Sequence, residues 1–288
     1  MQEKPGQARV LVLALPGART GSWSSFVVLG FALVLLLNAL PEVSGPSERV
    51  WPVMAAVFCA ALVGSVAGFA FSAICGALLL HLVDEPVRAV QIMMTCSAAS
   101  QSFMVWTLRR EIDGRALLPF VVGAAGGLPL GLYLLVASPP RFYAHALGLF
   151  LVAYALYMLM RRQRRLRVQN PVLDAVAGFL GGITGGVAAF PSAPVTVWCS
   201  FKGWSKEHQR GVYQPFILVV QVAAIALLSL GVVPSRVPVT FDASGLVYVP
   251  AMLLGTVLGL TLFRRLSDHQ FGRLLNVFLI ASGIALIL

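Results

Sequence analysis

Apolar runs of about 20 residues recur along almost the whole chain, parted by short loops that carry the charge. In a bilayer core only helices and closed barrels satisfy their own backbone, and a run of that length matches one helical crossing. The chain therefore reads as an all-α polytopic membrane protein. Composition agrees: 58% of residues are hydrophobic and 11% are charged, against roughly 25% charged in soluble domains. A net charge of +10 could suit nucleic acid. The basic residues sit in short loops between the runs, however, where the positive-inside rule accounts for them, so no nucleic-acid partner is expected. Cys59, Cys75, Cys96 and Cys199 all lie in apolar segments without C-x-x-C pairing. They read as packed thiols, with no metal site and no cofactor implied.

One stretch departs from this regularity. Residues 178–194 read G-F-L-G-G-I-T-G-G-V-A-A-F-P-S-A-P, uncharged and set in apolar surroundings. Each interior glycine costs a helix about 0.5–1 kcal/mol against alanine, and a proline about 3 kcal/mol. Five glycines and two prolines so close together predict a broken helix. Irregular backbone at membrane depth persists only where protein buries it or where it lines a cavity, so the break is a candidate binding site. Small residues also let helices pack closely, and Gly178, Gly182 and Gly186 have the four-residue spacing of such a contact. Pro191 and Pro194 have no place in that explanation, which tips the reading toward the break.

In chain order, residues 1–49 hold a polar tail and a first span at about 23–40, retained because no cleavage site follows it. Residues 50–160 begin with a long apolar stretch, 51–82, interrupted near Gly64, Gly68 and Gly76, and continue with spans at about 88–108, 116–137 and 142–160. A basic loop, 161–171, follows. Residues 172–288 repeat the plan, with an interrupted stretch at 172–200 and spans at about 211–231, 245–263 and 271–288. Three matches link the halves: Val66-Ala-Gly-Phe69 with Val176-Ala-Gly-Phe179, Arg88-Ala-Val-Gln91 with Arg210-Gly-Val-Tyr-Gln214, and Gly127-x-x-x-Gly131 with Gly255-x-x-x-Gly259.

Charge selects the topology. If both interrupted stretches return to the side they came from, 17 of the 21 lysines and arginines fall on one face of the membrane. If both cross fully, the basic residues divide almost evenly. The positive-inside rule selects the first arrangement, with a cytoplasmic N-terminus. The expected fold is then two inverted repeats, each a re-entrant broken-helix hairpin plus three transmembrane helices, with one extra N-terminal helix. Such folds hold their substrate near the midplane, between the repeats.

No acidic or basic residue falls in the middle of a span; Asp174, at the start of the second hairpin, comes nearest. A relay through buried carboxylates is therefore disfavoured. An anion would be held by helix N-termini and backbone N–H groups. Gly181, Gly182, Gly185 and Gly186 would allow close approach, Thr184 and Ser192 would add hydroxyls, and Pro191 marks the break. Gln91 and Gln214, at matching positions after the two hairpins, would line the site. Secondary candidates are Ser72 and Gly76 in the first hairpin, Gln101 and Gln221 farther along the following spans, and Arg88 and Arg210 at the span mouths. Interhelical hydrogen bonding is the plainer role for the glutamines, and interfacial anchoring for the arginines. The chain has no G-x-S-x-G, H-E-x-x-H or P-loop motif, which argues against an enzyme.

The glycine–proline stretch, the W-S-K-E-H-Q-R-G-V-Y-Q that follows it, and C-G-A-L-L-L and D-E-P-V-R-A-V-Q in the first half resemble the TauE/SafE family of sulfite-exporter-like permeases. The resemblance covers about 50–288. It implies two related halves in the plasma membrane and small organic or sulfur anions as substrates, such as sulfite, sulfoacetate and other sulfonates. The family often carries a proline in the first hairpin, where this chain has Cys75 and Gly76. The expected protein is a multi-pass permease of the cell inner membrane that moves a small anion by alternating access. Its partners are that anion and the lipid bilayer, and both proton coupling and homo-oligomerisation are compatible with it. The competing classes are a non-transporting scaffold that packs through its glycines and a transporter of another small solute. The scarcity of mid-span carboxylates argues against a cation.

Overall fold

The structure, a computed structural model, describes residues 50–67, 71–160, 169–231 and 242–262, with Ile280, Gly283, Ile284 and Ile287. The expected spans at 23–40 and 271–288 and the basic loop lie wholly or mostly outside the described residues. The elements are α1 (Val50–Ala67), α2 (Phe71–Leu79), α3 (Pro86–Leu108), α4 (Gly114–Ala137), α5 (Pro140–Met160), α6 (Pro171–Ala188), α7 (Ser192–Phe201) and α8 (Lys206–Ser229). A short 3-10 helix (Ala243–Tyr248) then runs into α9 (Val249–Leu262). Three of these helices are long and apolar enough to cross a membrane: α4, α6 and the Glu207–Ser229 part of α8.

The helix starts follow local chemistry. Asp113 caps α4 by accepting from the N–H groups of Arg115 and Ala116, Asn170 caps α6 through Val172 N–H, and Ser205 caps α8 through His208 N–H. Proline opens α3 and α6, where its missing N–H is no loss. Apolar periodicity does not register these polar caps, so α8 begins earlier than hydropathy alone predicts.

The glycine-rich stretch corrects the sequence reading. All five of its glycines lie inside α6, and the helix breaks only after Ala188. Gly178 and Gly182 abut the backbone of α4 at Phe120 and Ala124, and Gly186 abuts it at Gly131 and Leu132. From the other side Gly123, Gly127 and Gly131 of α4 meet the carbonyls of Ala175, Phe179 and Ile183. Six glycines interleave into one seam. Breaking a helix in lipid orphans backbone groups at several kcal/mol each, more than the ~0.5–1 kcal/mol each glycine costs. The glycines therefore serve packing, and the prolines account for the break.

A second seam joins α9 to α1. Gly255 and Gly259 of α9 meet the carbonyls of Phe58 and Leu62 in α1. Two glycine-bearing helices thus find partners distant in sequence: α4 packs on α6, and α9 on α1. Between them α3 packs on α8. Ser97 lies beside Gln221, and Gly211 touches Glu111, in the turn just past the far end of α3, so the two helices run antiparallel.

One repeat match fails in three dimensions. Val176–Phe179 occupy the middle of α6, whereas Val66 and Ala67 are the last residues of α1. The tetrapeptides share small residues without sharing a position. The Gly127/Gly131 and Gly255/Gly259 match does fall on comparable places, since each pair approaches the carbonyls of a first hairpin arm.

Candidate functional site

Beyond Ala188 the chain turns sharply. Ala189 takes the left-handed conformation (φ 51°, ψ 28°) and is the non-glycine residue with positive φ among the described residues. That region costs an L-residue about 1–2 kcal/mol. Phe190 N–H closes the turn on Thr184 O at 3.2 Å, and Pro191 precedes the first residue of α7. Phe190 is buried, edge-on to Tyr154 with centroids 5.6 Å apart and to Phe150 at 6.3 Å. The Ala189 carbonyl, released from the helix, accepts from Gln221 Nε2 at 2.8 Å. The same nitrogen lies 3.4 Å from Ser97 Oγ. Gln221 belongs to α8 and Ser97 to α3, and both are buried. One amide thus ties the break to the two central helices.

Replacing Ala189 by glycine removes the Cβ that makes the left-handed turn unfavourable. The expected result is a gain of about 0.5–1 kcal/mol, after subtracting glycine's own backbone-entropy cost. Unfolding in detergent measures it, and a loss of stability would contradict a strained turn.

Residues 53–286 match the family described as Sulfite exporter TauE/SafE. The chain belongs to the TauE/SafE family. Members are membrane transporters of sulfur-containing anions, not enzymes. No curated protein and no solved structure matches the chain.

In this TauE/SafE protein the expected site residues separate into groups. Thr184, Pro191, Ser192, Gln221, Gly181 and Gly185 gather at the break. A Cβ on Gly181 would lie 2.8 Å from Pro191 O and 3.0 Å from the Phe216 ring, and one on Gly185 would lie 2.7 Å from Val220 Cγ1 and 2.9 Å from Pro191 Cβ. Ser192 is buried, and Thr184 donates to its own helix at Leu180 O, 3.1 Å away. Gly182 and Gly186 face the other way, into the α4 seam. A leucine at Gly186 would meet Leu132 N at 2.6 Å from its Cβ alone, so it is expected to cost the fold and not flux alone. Ser72 and Gly76 lie buried in α2, where a Cβ on Gly76 would reach Met93 Sδ at 3.1 Å.

Gln91 and Gln214 are not brought together. Gln91 precedes Ser97 by six residues and Gln214 precedes Gln221 by seven. In antiparallel helices at 1.5 Å per residue that spreads them about 20 Å along the pair. Gln91 Oε1 instead accepts from Asp242 N–H at 3.2 Å, one turn from Arg88, whose guanidinium lies 3.4 Å from Asp242 Oδ2. Partial desolvation pushes the Asp242 carboxyl up, but hydrogen bonds from Ser244 and the Arg88 charge outweigh it and hold the carboxyl below its ordinary value. At the other end Arg210 and Gln214 flank the Tyr213 hydroxyl. Gln101 is buried toward the far end of α3.

Sequence reasoning missed a buried ion pair. Lys202, at the end of α7, reaches back to Asp174 in the first turn of α6, with Nζ 2.7 and 2.6 Å from the two carboxylate oxygens. Trp198 Nε1 donates to Asp174 Oδ1 at 2.5 Å, and the ammonium sits 4.3 Å over the Trp204 ring. Both charged side chains are more than nine-tenths buried. The pair brings the two ends of the α6–α7 hairpin together, so the chain leaves it where it came in. Asp174 was visible as an acid in an apolar run; Lys202, in K-G-W-S-K, read as loop charge. Beside the pair opens a cavity of about 630 Å³, lined also by Asp113, Arg115 and His208.

Proposed function

We propose that this chain is a plasma-membrane permease for a small sulfur anion, sulfite or a sulfonate, working by alternating access between two inverted halves. The observation that carries the site assignment is the break at Ala189–Pro191, bound through Gln221 and Ser97 to the two central helices. Ser192 opens α7 there, and the first-turn N–H groups of Ser192 and Ala193 have no acceptor within the helix, while Pro191 and Pro194 bring no N–H. A helix N-terminus of this kind carries about half a positive charge and suits an anion without a lysine or arginine. The reciprocal packing of α4 on α6 and α9 on α1 supports inverted halves. The return of α7 to the start of α6 supports a re-entrant hairpin. Thr184 and Ser192 are the side chains assigned to substrate at the break, with Gln221 in place of the Gln91–Gln214 pair, while Gly181 and Gly185 let Pro191, Phe216 and Val220 pack closely against α6.

Flux into proteoliposomes tests the reading. Saturable movement of sulfite or a small sulfonate is expected, with none of a neutral sugar, and an imposed pH gradient reads out proton coupling. Folded protein that moves none of these anions would defeat the permease reading and favour a scaffold.

A further inference from the structure

Gln221 is fully buried, and its amide nitrogen is committed to Ala189 O at 2.8 Å and to Ser97 Oγ at 3.4 Å. Its Oε1 accepts no hydrogen bond among the described residues. Turning the amide over would set two acceptor oxygens, Oε1 and the Ala189 carbonyl, against each other, so the orientation is chemically determined. A buried acceptor left unmatched is costly enough to need a reason. This one sits where the hairpin breaks, on the side chain that holds the strained carbonyl.

We infer that Gln221 Oε1 is a substrate-selecting acceptor: the permease recognises a monoanion that also carries a hydrogen-bond donor, such as hydrogensulfite or a hydroxylated sulfonate. The inference rests on the site assigned above and deepens it. The α7 N-terminus attracts the anionic oxygens, while Gln221 demands an O–H or N–H on the same molecule. A dianion such as sulfite fails on both counts. It brings no donor, and its second charge meets no free buried cation among the described residues, because the buried Lys202 is committed to Asp174. A site built to satisfy a donor discriminates strongly against the analogue lacking it, since the acceptor is then buried unpaired.

Hydroxyethanesulfonate and ethanesulfonate form a matched pair, alike in charge and differing by one hydroxyl. Flux and thermal stabilisation in detergent would be measured for both, in the full chain and in Gln221→Met. The full chain is expected to favour the hydroxylated sulfonate by about tenfold, the size of one buried hydrogen bond. Gln221→Met should bring the ratio close to one. Its sulfite flux should also lose any preference for the acid side of the second ionisation of sulfurous acid. The ratio is internal to each sample, so a variant that folds in low yield still reports it. If Gln221→Met yields no protein, Gln221→Asn, which keeps an amide but draws the acceptor back by one methylene, should lower the ratio instead. Equal handling of the two sulfonates by the full chain overturns the inference while leaving the permease reading intact. A preference that survives both substitutions overturns the assignment to Gln221. Stabilisation by the hydroxylated sulfonate without flux keeps the subsite and removes transport; neither stabilisation nor flux removes both.

Discussion

Alanine at Gly127 should cost at least about 3 kcal/mol, whereas alanine at the adjacent Gly126 should be neutral or stabilise by up to about 1 kcal/mol. The two glycines share a helix, a neighbour and a helix propensity, and differ only in what their missing Cβ would meet. At Gly127 it would enter the Phe179 carbonyl and crowd Ile183 N at 3.1 Å. Nothing there can rotate away, because the obstacle is backbone, so α4 and α6 must separate along the seam. At Gly126 the nearest atoms are the Phe179 ring carbons at 3.6 and 3.7 Å, an ordinary contact. Leucine at Gly182, opposite Ala124 O at 2.7 Å, should leave no folded protein. Unfolding midpoints in detergent check the series. Equal effects at Gly126 and Gly127 would mean that α4 does not lie on α6 as described.

The second large effect concerns Lys202. Replacing it with methionine leaves the buried Asp174 carboxylate beside Trp198 without its counter-charge. Removing one partner of a buried pair costs about 3–5 kcal/mol, most of it the burden of the abandoned charge. Removing both should therefore be milder than removing one: Asp174→Leu with Lys202→Met is expected to recover at least half of the loss. A double-mutant cycle on unfolding measures this coupling. If the double variant is as unstable as the sum of the singles, the two side chains do not act as a pair. The hairpin would then be held by packing alone, through Trp198 and Trp204.

The particular residues show what the sequence exposed and what it hid. Apolar length found α3, α4 and α5 to within a few residues, because crossing a bilayer leaves little freedom in helix length. It also located two interrupted stretches. The glycines misled because their cost in a helix is small and local, while their benefit, backbone lying on backbone, depends on a partner helix more than forty residues earlier in the chain. The pair Asp174–Lys202 was hidden for the same reason: 28 positions separate residues that only the hairpin brings together. Gln221 was seen as a polar residue on a helix face. Its role was not visible, because its partner is the carbonyl of Ala189, and no residue letter records a carbonyl turned out of a helix.

The seam between α1 and α9 has a consequence in time. The face of α1 that bears Phe58 and Leu62 finds its partner only when Gly255 and Gly259 have been made. At ~5–20 residues per second, synthesis of the intervening chain takes about 10–40 s. Throughout that interval the first hairpin has α2 and α3 for company but lacks its closing helix. During biogenesis a segment made early is thus among the last to be completed, and synthesis that stops before residue 255 leaves α1 without the helix it packs on.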